Sequence, residues 1–341
     1  MNNYLNNFKI GGLITSIVLG AGFLSGKELL TFFGTFKTLG ILGIFISSFL
    51  IFLVSISVMK ITYTYNIKTV DDFLLKILNN NKLAYYFFST VSITFMFVIF
   101  STMTSAFSEV LKEYFNIPTN SGGIIFGVIT IFFIFFGIQL IIDCSAFVSP
   151  ILFIGSLLIL IYYLFSTYNV FSNNTPIHLY SKAIVYTSYN ILTTIALLIS
   201  STKLLHSKKD IFLSAFIGSL SIFLIGTILY IPINIEFSTV YNKALPLYNI
   251  LIDINNQSFF LKLYILNFLI AIITTGVTSC YGVVTGVSAK KNIPLTFLIV
   301  FLGILFSKFG FTTFVNTIFP IFGIFGIIEI YFILRLAINR K

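Results

Sequence analysis

Long apolar runs separated by short polar connections dominate the chain. Crossing a bilayer as a helix takes about 20 apolar residues. Windows of that kind fall at roughly 10–34, 38–62, 84–112, 121–141, 145–167, 182–205, 210–233, 258–286, 293–309 and 313–337. The pattern predicts an all-α polytopic membrane protein with ten transmembrane helices, forming one transmembrane domain over 1–341. The two largest connections are 63–83 and 234–257, and neither is long enough to be a domain. Within the first of them, Asp71, Asp72 and Lys76 suggest a short surface helix. The stretch from Phe237 to Ile252 carries small apolar clusters and Pro246, as an interfacial helix would.

Composition agrees with the pattern. The chain is 57% hydrophobic and 9% charged, with a mean hydropathy of +1.04. A soluble domain carries about 25% charged residues. Trp is absent, which leaves the 18 Tyr residues to anchor the membrane interfaces. The net charge of +10 sits in the connections, where the positive-inside rule places it. No basic stretch is interleaved with exposed polar sequence, so no nucleic-acid partner is expected, and the lipid bilayer is. An even number of spans puts both termini on one side. Of the 20 Lys and Arg residues, thirteen fall on that side and six on the other, with Lys27 inside a span. This bias predicts cytoplasmic termini in a multi-pass protein of the plasma membrane.

The stretch GAGFLSGKE, Gly20 to Glu28, interrupts the first apolar run. It fails as a phosphate loop, because position 21 is Ala and position 28 is Glu. It fails as a dinucleotide fingerprint, because the third glycine comes one residue late. Two readings remain. Gly22 and Gly26 form a GxxxG pair, which packs membrane helices closely. Alternatively the helix opens here, and its free amides and carbonyls line a cavity as ligands. The adjacent charges of Lys27 and Glu28 favour the second reading, since intramembrane ionisable groups face a bundle interior or a wet cavity.

A 5+5 inverted repeat, 8–167 and 182–338, would place a second interruption in the sixth span. That span is polar at its centre, Thr187-Ser188-Tyr189-Asn190. A break near Ser188 to Asn190 is expected; a polar face on an intact helix is the alternative. In the eighth span, Thr275, Thr278 and Ser279 share one helix face. Their hydroxyls suit an alkali cation, or else bond to their own backbone.

These residues carry a resemblance. GAGFLSGKELLTFFG in the first span, SYN in the sixth and GVTS in the eighth resemble the YkvI-like membrane proteins of the amino acid–polyamine–organocation (APC) transporter superfamily. The layout resembles the leucine-transporter fold, which implies discontinuous helices 1 and 6. It also implies a substrate site between them near the bilayer centre. Carried onto this sequence, the substrate-binding positions are Gly20, Ala21, Gly22, Ser25, Lys27, Glu28, Ser188, Tyr189 and Asn190. The resemblance further implies a sodium site built from backbone carbonyls near Ser16 and Leu19, a carbonyl of Thr275, and the hydroxyls of Thr278 and Ser279. Some sodium-independent members put a span-five lysine there; span five here has none, which favours sodium as coupling ion. Lys27 departs from the family pattern: it snorkels to the outer surface, pairs with an acid, or points inward to attract a carboxylate or replace the cation. The family also folds the 237–252 region over the outer vestibule.

The implied function is a secondary active transporter of a small organic solute, an amino acid or related amine, working as a monomer or homodimer. A proton-coupled or uncoupled carrier, or a non-transporting sensor or assembly protein, is the alternative. An enzyme is not expected. There is no HExxH, GxSxG or facing aspartate pair, and the S-x-x-K at Ser57 to Lys60 lies at a span end. No cofactor is expected beyond the ion. His178 and His206 show no metal spacing, and Cys144 and Cys280 no CxxC. Glu109 and Glu113 are expected at a solvated helix end, and Asp143 as a cap of the fifth span. Glu329 reads as a paired structural acid or a proton site.

Overall fold

The computed structural model describes residues 2–136, 138–166, 178–255, 257–287 and 292–338. Every regular element among them is helical. The first membrane segment is in three pieces: α1 (Asn2–Val18), one turn of α2 (Ala21–Leu24) and α3 (Lys27–Phe33). A 3₁₀ stretch (Gly34–Leu39) leads to α4 (Gly40–Tyr65). The expected surface helix is α5 (Val70–Ile77), started by Thr69, whose hydroxyl accepts from the Asp72 amide. It is followed by α6 (Lys82–Phe115), α7 (Thr119–Phe136) and α8 (Ile138–Ser166). The change from α7 to α8 comes several residues earlier than expected. Asp143 therefore lies inside α8 instead of capping it, and its side chain is outside the described residues, as is that of Cys144.

The second half continues with α9 (Leu179–Ser201), α10 (Lys208–Ile235), α11 (Phe237–Val240) and α12 (Pro246–Asn255). Then come α13 (Phe259–Val287), α14 (Ile293–Phe306), α15 (Phe311–Thr313) and α16 (Phe319–Ile338). A wide π turn, Phe314–Ile318, joins the last two. Pro320 has no N–H to give the carbonyl of Asn316, and a wider turn takes up the mismatch.

Seven of the described helices are long and apolar enough to cross a membrane, and Ile293–Phe309 is a shorter apolar helix. Large apolar side chains such as Phe45, Phe132, Phe301 and Ile324 stand exposed on the outer surface. Hydroxyls and amides are turned inward instead: Thr15, Ser47, Thr104, Thr194 and Asn267 are buried. That is the arrangement expected where lipid surrounds the bundle.

The expectation of a discontinuous sixth helix is not met. Helix α9 runs unbroken from Leu179 to Ser201 through Ser188, Tyr189 and Asn190. No Gly or Pro occurs in that range. Its polar side chains bond back to carbonyls of their own helix without opening it. Thr187 reaches Ala183 O at 2.9 Å, Ser188 reaches Ile184 O at 2.7 Å, and Asn190 Nδ2 reaches Tyr186 O at 2.9 Å. Such back-bonds satisfy the side chain and leave the ladder intact.

Candidate substrate cavity at the opened first helix

The first segment opens because two glycines permit it. Gly26 has φ of +81°, a left-handed conformation that ends α2 and lets α3 restart at Lys27. A Cβ at Gly22 would collide with the Glu28 carboxyl, so Gly22 makes the space into which Glu28 folds back. Within the gap, the carbonyls of Ser16, Ile17, Val18 and Leu19 and the amides of Gly20, Ala21 and Gly22 find no hydrogen-bond partner among the described residues.

The remaining groups near the gap are tied down. Ser25 Oγ donates to Gly22 O and accepts from the Lys27 amide. The Leu247 amide donates to Ser25 O at 3.0 Å, and the Tyr264 hydroxyl donates to Leu24 O at 3.1 Å. The 237–252 region thus folds onto the gap, with Leu247 at the head of α12 and Ile233 of α10 packed against Gly26. This covers one end of the opened segment.

The other end leads into a cavity of about 370 Å³. Glu28, Tyr189, Asn190 and Phe319 line its inner end; Gly20 and Thr275 lie beside them. It extends past Ser200 and Thr285 to Lys68 and Thr69, which are exposed. Those mouth residues sit at the helix ends nearest the chain's N-terminus, since α1 and α4 run in opposite directions. The cavity therefore opens toward the end that holds residue 2 and is closed toward α12.

Glu28 is 4% exposed. Its Oε2 accepts from the Tyr189 hydroxyl at 2.8 Å. Aromatic rings surround that pair: Tyr189 lies 5.2 Å from Phe319, 5.5 Å from Phe32 and 5.3 Å from Tyr186 between centroids. Lys27 takes no part. Its ammonium turns to the carbonyl of Lys243, at 3.0 Å, and is buried under the 237–252 region. Of the three expected orientations it adopts none: it neither reaches solvent, nor pairs with Glu28, nor enters the cavity.

Of the positions singled out from the sequence, Gly20, Glu28, Tyr189, Asn190, Thr275, Thr278 and Ser279 meet at this cavity. Ala21 and Gly22 lie buried in the gap and do not line the cavity. Ser25 Oγ accepts the Lys27 amide at the start of α3, and Ser188 packs against Gly326. The two free carbonyls of Ser16 and Leu19 are where the resemblance placed cation ligands. On the facing helix α13, Thr275 differs from expectation. Its carbonyl is already taken by Thr278 at 2.9 Å and Ser279 at 2.7 Å, while its hydroxyl is buried without a partner. The hydroxyl stands against Gly20, 3.4 Å from where a Cβ would be. Free carbonyls on one strand of the gap and an orphan hydroxyl opposite make an oxygen set suited to a hard monovalent cation. Among the described residues no three His, Cys, Asp or Glu side chains gather as a transition metal would require.

Sequence reasoning missed Tyr186 and Phe319. Tyr186 stands one helical turn before Tyr189, a spacing visible in the sequence. Phe319 had no such signal. Glu109 differs from the expected solvated helix end, and Glu329 is not the paired acid of one of its two readings. Glu109 is only partly exposed and keeps Oε2 enclosed without a partner, and Glu329 is 2% exposed with an unpartnered Oε2, away from the cavity.

No family model matches the chain. A Bacillus subtilis protein, the uncharacterized YyaD, is 24% identical over 321 residues, covering 91% of this chain and 90% of its own. Similar solved structures include a sodium-coupled sialic acid symporter in a substrate-bound outward-open state, with 12% identity and a TM-score of 0.64 over 98% of this chain and 79% of that one. A variant of the Eremococcus coleocola manganese transporter gives 14% and 0.66 over 98% and 77%. Mhp1 in an inward-facing conformation gives 11% and 0.52 over 96% and 75%. These are secondary transporters of the leucine-transporter fold, and at such identities the likeness shows the fold. This chain has that fold, in a multi-pass membrane protein.

Proposed function

We propose that this protein is a secondary active transporter that moves a small organic solute by alternating access. The observation that carries the reading is the cavity ending at an opened helix: it is accessible from one end of the bundle and shut from the other by α12. A carrier needs such a one-sided site at mid-depth, with a second arrangement that exposes it to the opposite side. The fold likeness to solved transporters supports the same reading over that of an enzyme.

The finer assignments belong to this proposal. The cargo is an amino acid or related amine. Sodium is the coupling ion, held by the carbonyls of Ser16 and Leu19 with the Thr275 hydroxyl, and with Thr278 and Ser279 behind it. The residues 8–167 and 182–338 act as the two inverted repeats. The protein belongs with the YkvI-like group of the APC superfamily and sits in the plasma membrane with cytoplasmic termini, so the cavity opens inward. Uptake into proteoliposomes with and without a sodium gradient tests this. Sodium-driven accumulation is expected, and Thr275→Val should reduce the sodium dependence at least tenfold. Binding without flux would mark a sensor instead of a carrier. Flux indifferent to sodium would remove the ion assignment.

A further inference from the structure

A second cavity, of about 440 Å³, lies apart from the first and shares none of its described lining residues. It is bounded by the last turns of α6, the start of α7 and the end of α14. The Tyr248 hydroxyl of α12 donates to the carbonyl of Glu113 at 3.5 Å, which places this end of α6 at the closed end of the bundle. The polar groups around the cavity are not used up within the chain. Ser105 is 5% exposed, and its hydroxyl makes no hydrogen bond among the described residues. The carboxyl of Glu109 lies beside the Phe311 amide, yet its Oε2 takes no hydrogen bond. Those acceptors belong to α6. Donors come from the other two elements: Lys308 stands exposed after α14, and the amides of Thr119 and Asn120 start α7 without a partner carbonyl.

Acceptors on one wall and donors on the others suit a ligand with a positive and a negative group of its own. The surroundings say what kind of molecule that is. Ile124 of α7 and Leu305 of α14 line the cavity and are both exposed. One turn deeper on the same two helices, Val128 and Phe301 are exposed as well. The cavity therefore opens sideways onto an apolar surface that faces lipid, at the helix ends where headgroups lie. A water-soluble solute would leave that apolar rim uncovered, whereas acyl chains would cover it.

We propose that this second cavity is a phospholipid site, selective for a headgroup that carries a primary ammonium, as phosphatidylethanolamine does. The ammonium donates to Glu109 and to Ser105 Oγ. The phosphodiester lies toward Lys308 and the first amides of α7, where a helix start favours an anion. The acyl chains run along the surface past Val128 and Phe301. Glu109 needs no charge in the empty cavity, because the arriving ammonium brings the positive partner that favours its ionised form. The lipid site goes beyond the carrier reading and stands or falls apart from it.

Native mass spectrometry of the full chain in detergent, titrated with lipids of identical acyl chains, tests it. Phosphatidylethanolamine should bind about tenfold tighter than phosphatidylcholine, whose quaternary nitrogen has no hydrogen to donate, and tighter than phosphatidylglycerol, which has no cation. Glycerophosphoethanolamine, the same headgroup without acyl chains, should bind at least about a hundredfold more weakly than the lipid. Glu109→Gln should lower phosphatidylethanolamine to about the phosphatidylcholine level and leave phosphatidylcholine where it was, a pattern that a misfolded chain would not give. Ser105→Ala keeps the carboxyl and should weaken phosphatidylethanolamine a few-fold, which gives a second reading should Glu109→Gln fail to fold. Lys308→Gln should weaken all three lipids a few-fold and keep their order. The proposal is overturned if phosphatidylcholine or phosphatidylglycerol binds wild type as tightly as phosphatidylethanolamine. It is equally overturned if Glu109→Gln, or Ser105→Ala in its place, leaves the preference unchanged, or if the free headgroup binds as well as the lipid.

Discussion

The first membrane segment and helix α9 line the same cavity, and each is polar at its middle, yet one is open and the other is whole. In the first, Gly20 precedes a four-residue turn and Gly26 precedes the next helix, and a carboxyl folds back into the space a side chain would fill at Gly22. In α9, polar groups stand at the same depth, but Thr187, Ser188 and Asn190 each return a hydrogen to a carbonyl one turn earlier. Polarity alone therefore does not open a membrane helix. Opening it takes a residue free to leave helical angles, together with groups that occupy the gap. The consequence for binding is a division of labour. The first segment offers bare main-chain groups and a charge, while α9 offers side chains held rigidly on an intact rod.

Substitutions that erase or copy the difference should act in a definite order. Gly22→Val places a branched side chain where the Glu28 carboxyl lies. It should abolish solute binding and lower stability by about 1–3 kcal/mol, read by calorimetry and thermal unfolding. Gly26→Ala puts a Cβ at φ of +81° and within 2.6 Å of Ile233 Cδ1. It should cost roughly 1–3 kcal/mol and slow uptake, with the cavity's lining preserved. Asn190→Gly gives α9 the residue it lacks. It should cost about 1 kcal/mol and raise amide exchange around Tyr186 to Thr194, which would make α9 behave more like the first segment. Ser188→Ala should change stability by no more than about 0.5 kcal/mol and leave α9 intact, because that hydroxyl bonds only within its own helix.

Much of this was legible in the sequence for identifiable reasons. The membrane layout follows from apolar runs, and the opened segment from Gly20, Gly22 and Gly26 lying beside Glu28. The absence of Gly and Pro between Leu179 and Ser201 was the signal that α9 would stay whole. The polar centre of that span masked it, because a sequence does not say where a hydroxyl sends its hydrogen. Lys27 was out of reach for another reason: its partner carbonyl belongs to Lys243, which only tertiary folding brings near. The Thr275 hydroxyl, not its carbonyl, being free is a matter of side-chain rotation that Thr278 and Ser279 decide. The wide turn before α16 had a visible cause in Pro320, whose effect depends on where the preceding helix begins.

Hydrogen–deuterium exchange resolved to single residues, on the full chain in nanodiscs, tests the contrast most directly. The amides of Gly20, Ala21 and Gly22 should exchange fast, and those of Ser188, Tyr189 and Asn190 should be strongly protected in the same sample. Protection of both stretches, or rapid exchange of both, would contradict the account of one opened helix facing one intact helix.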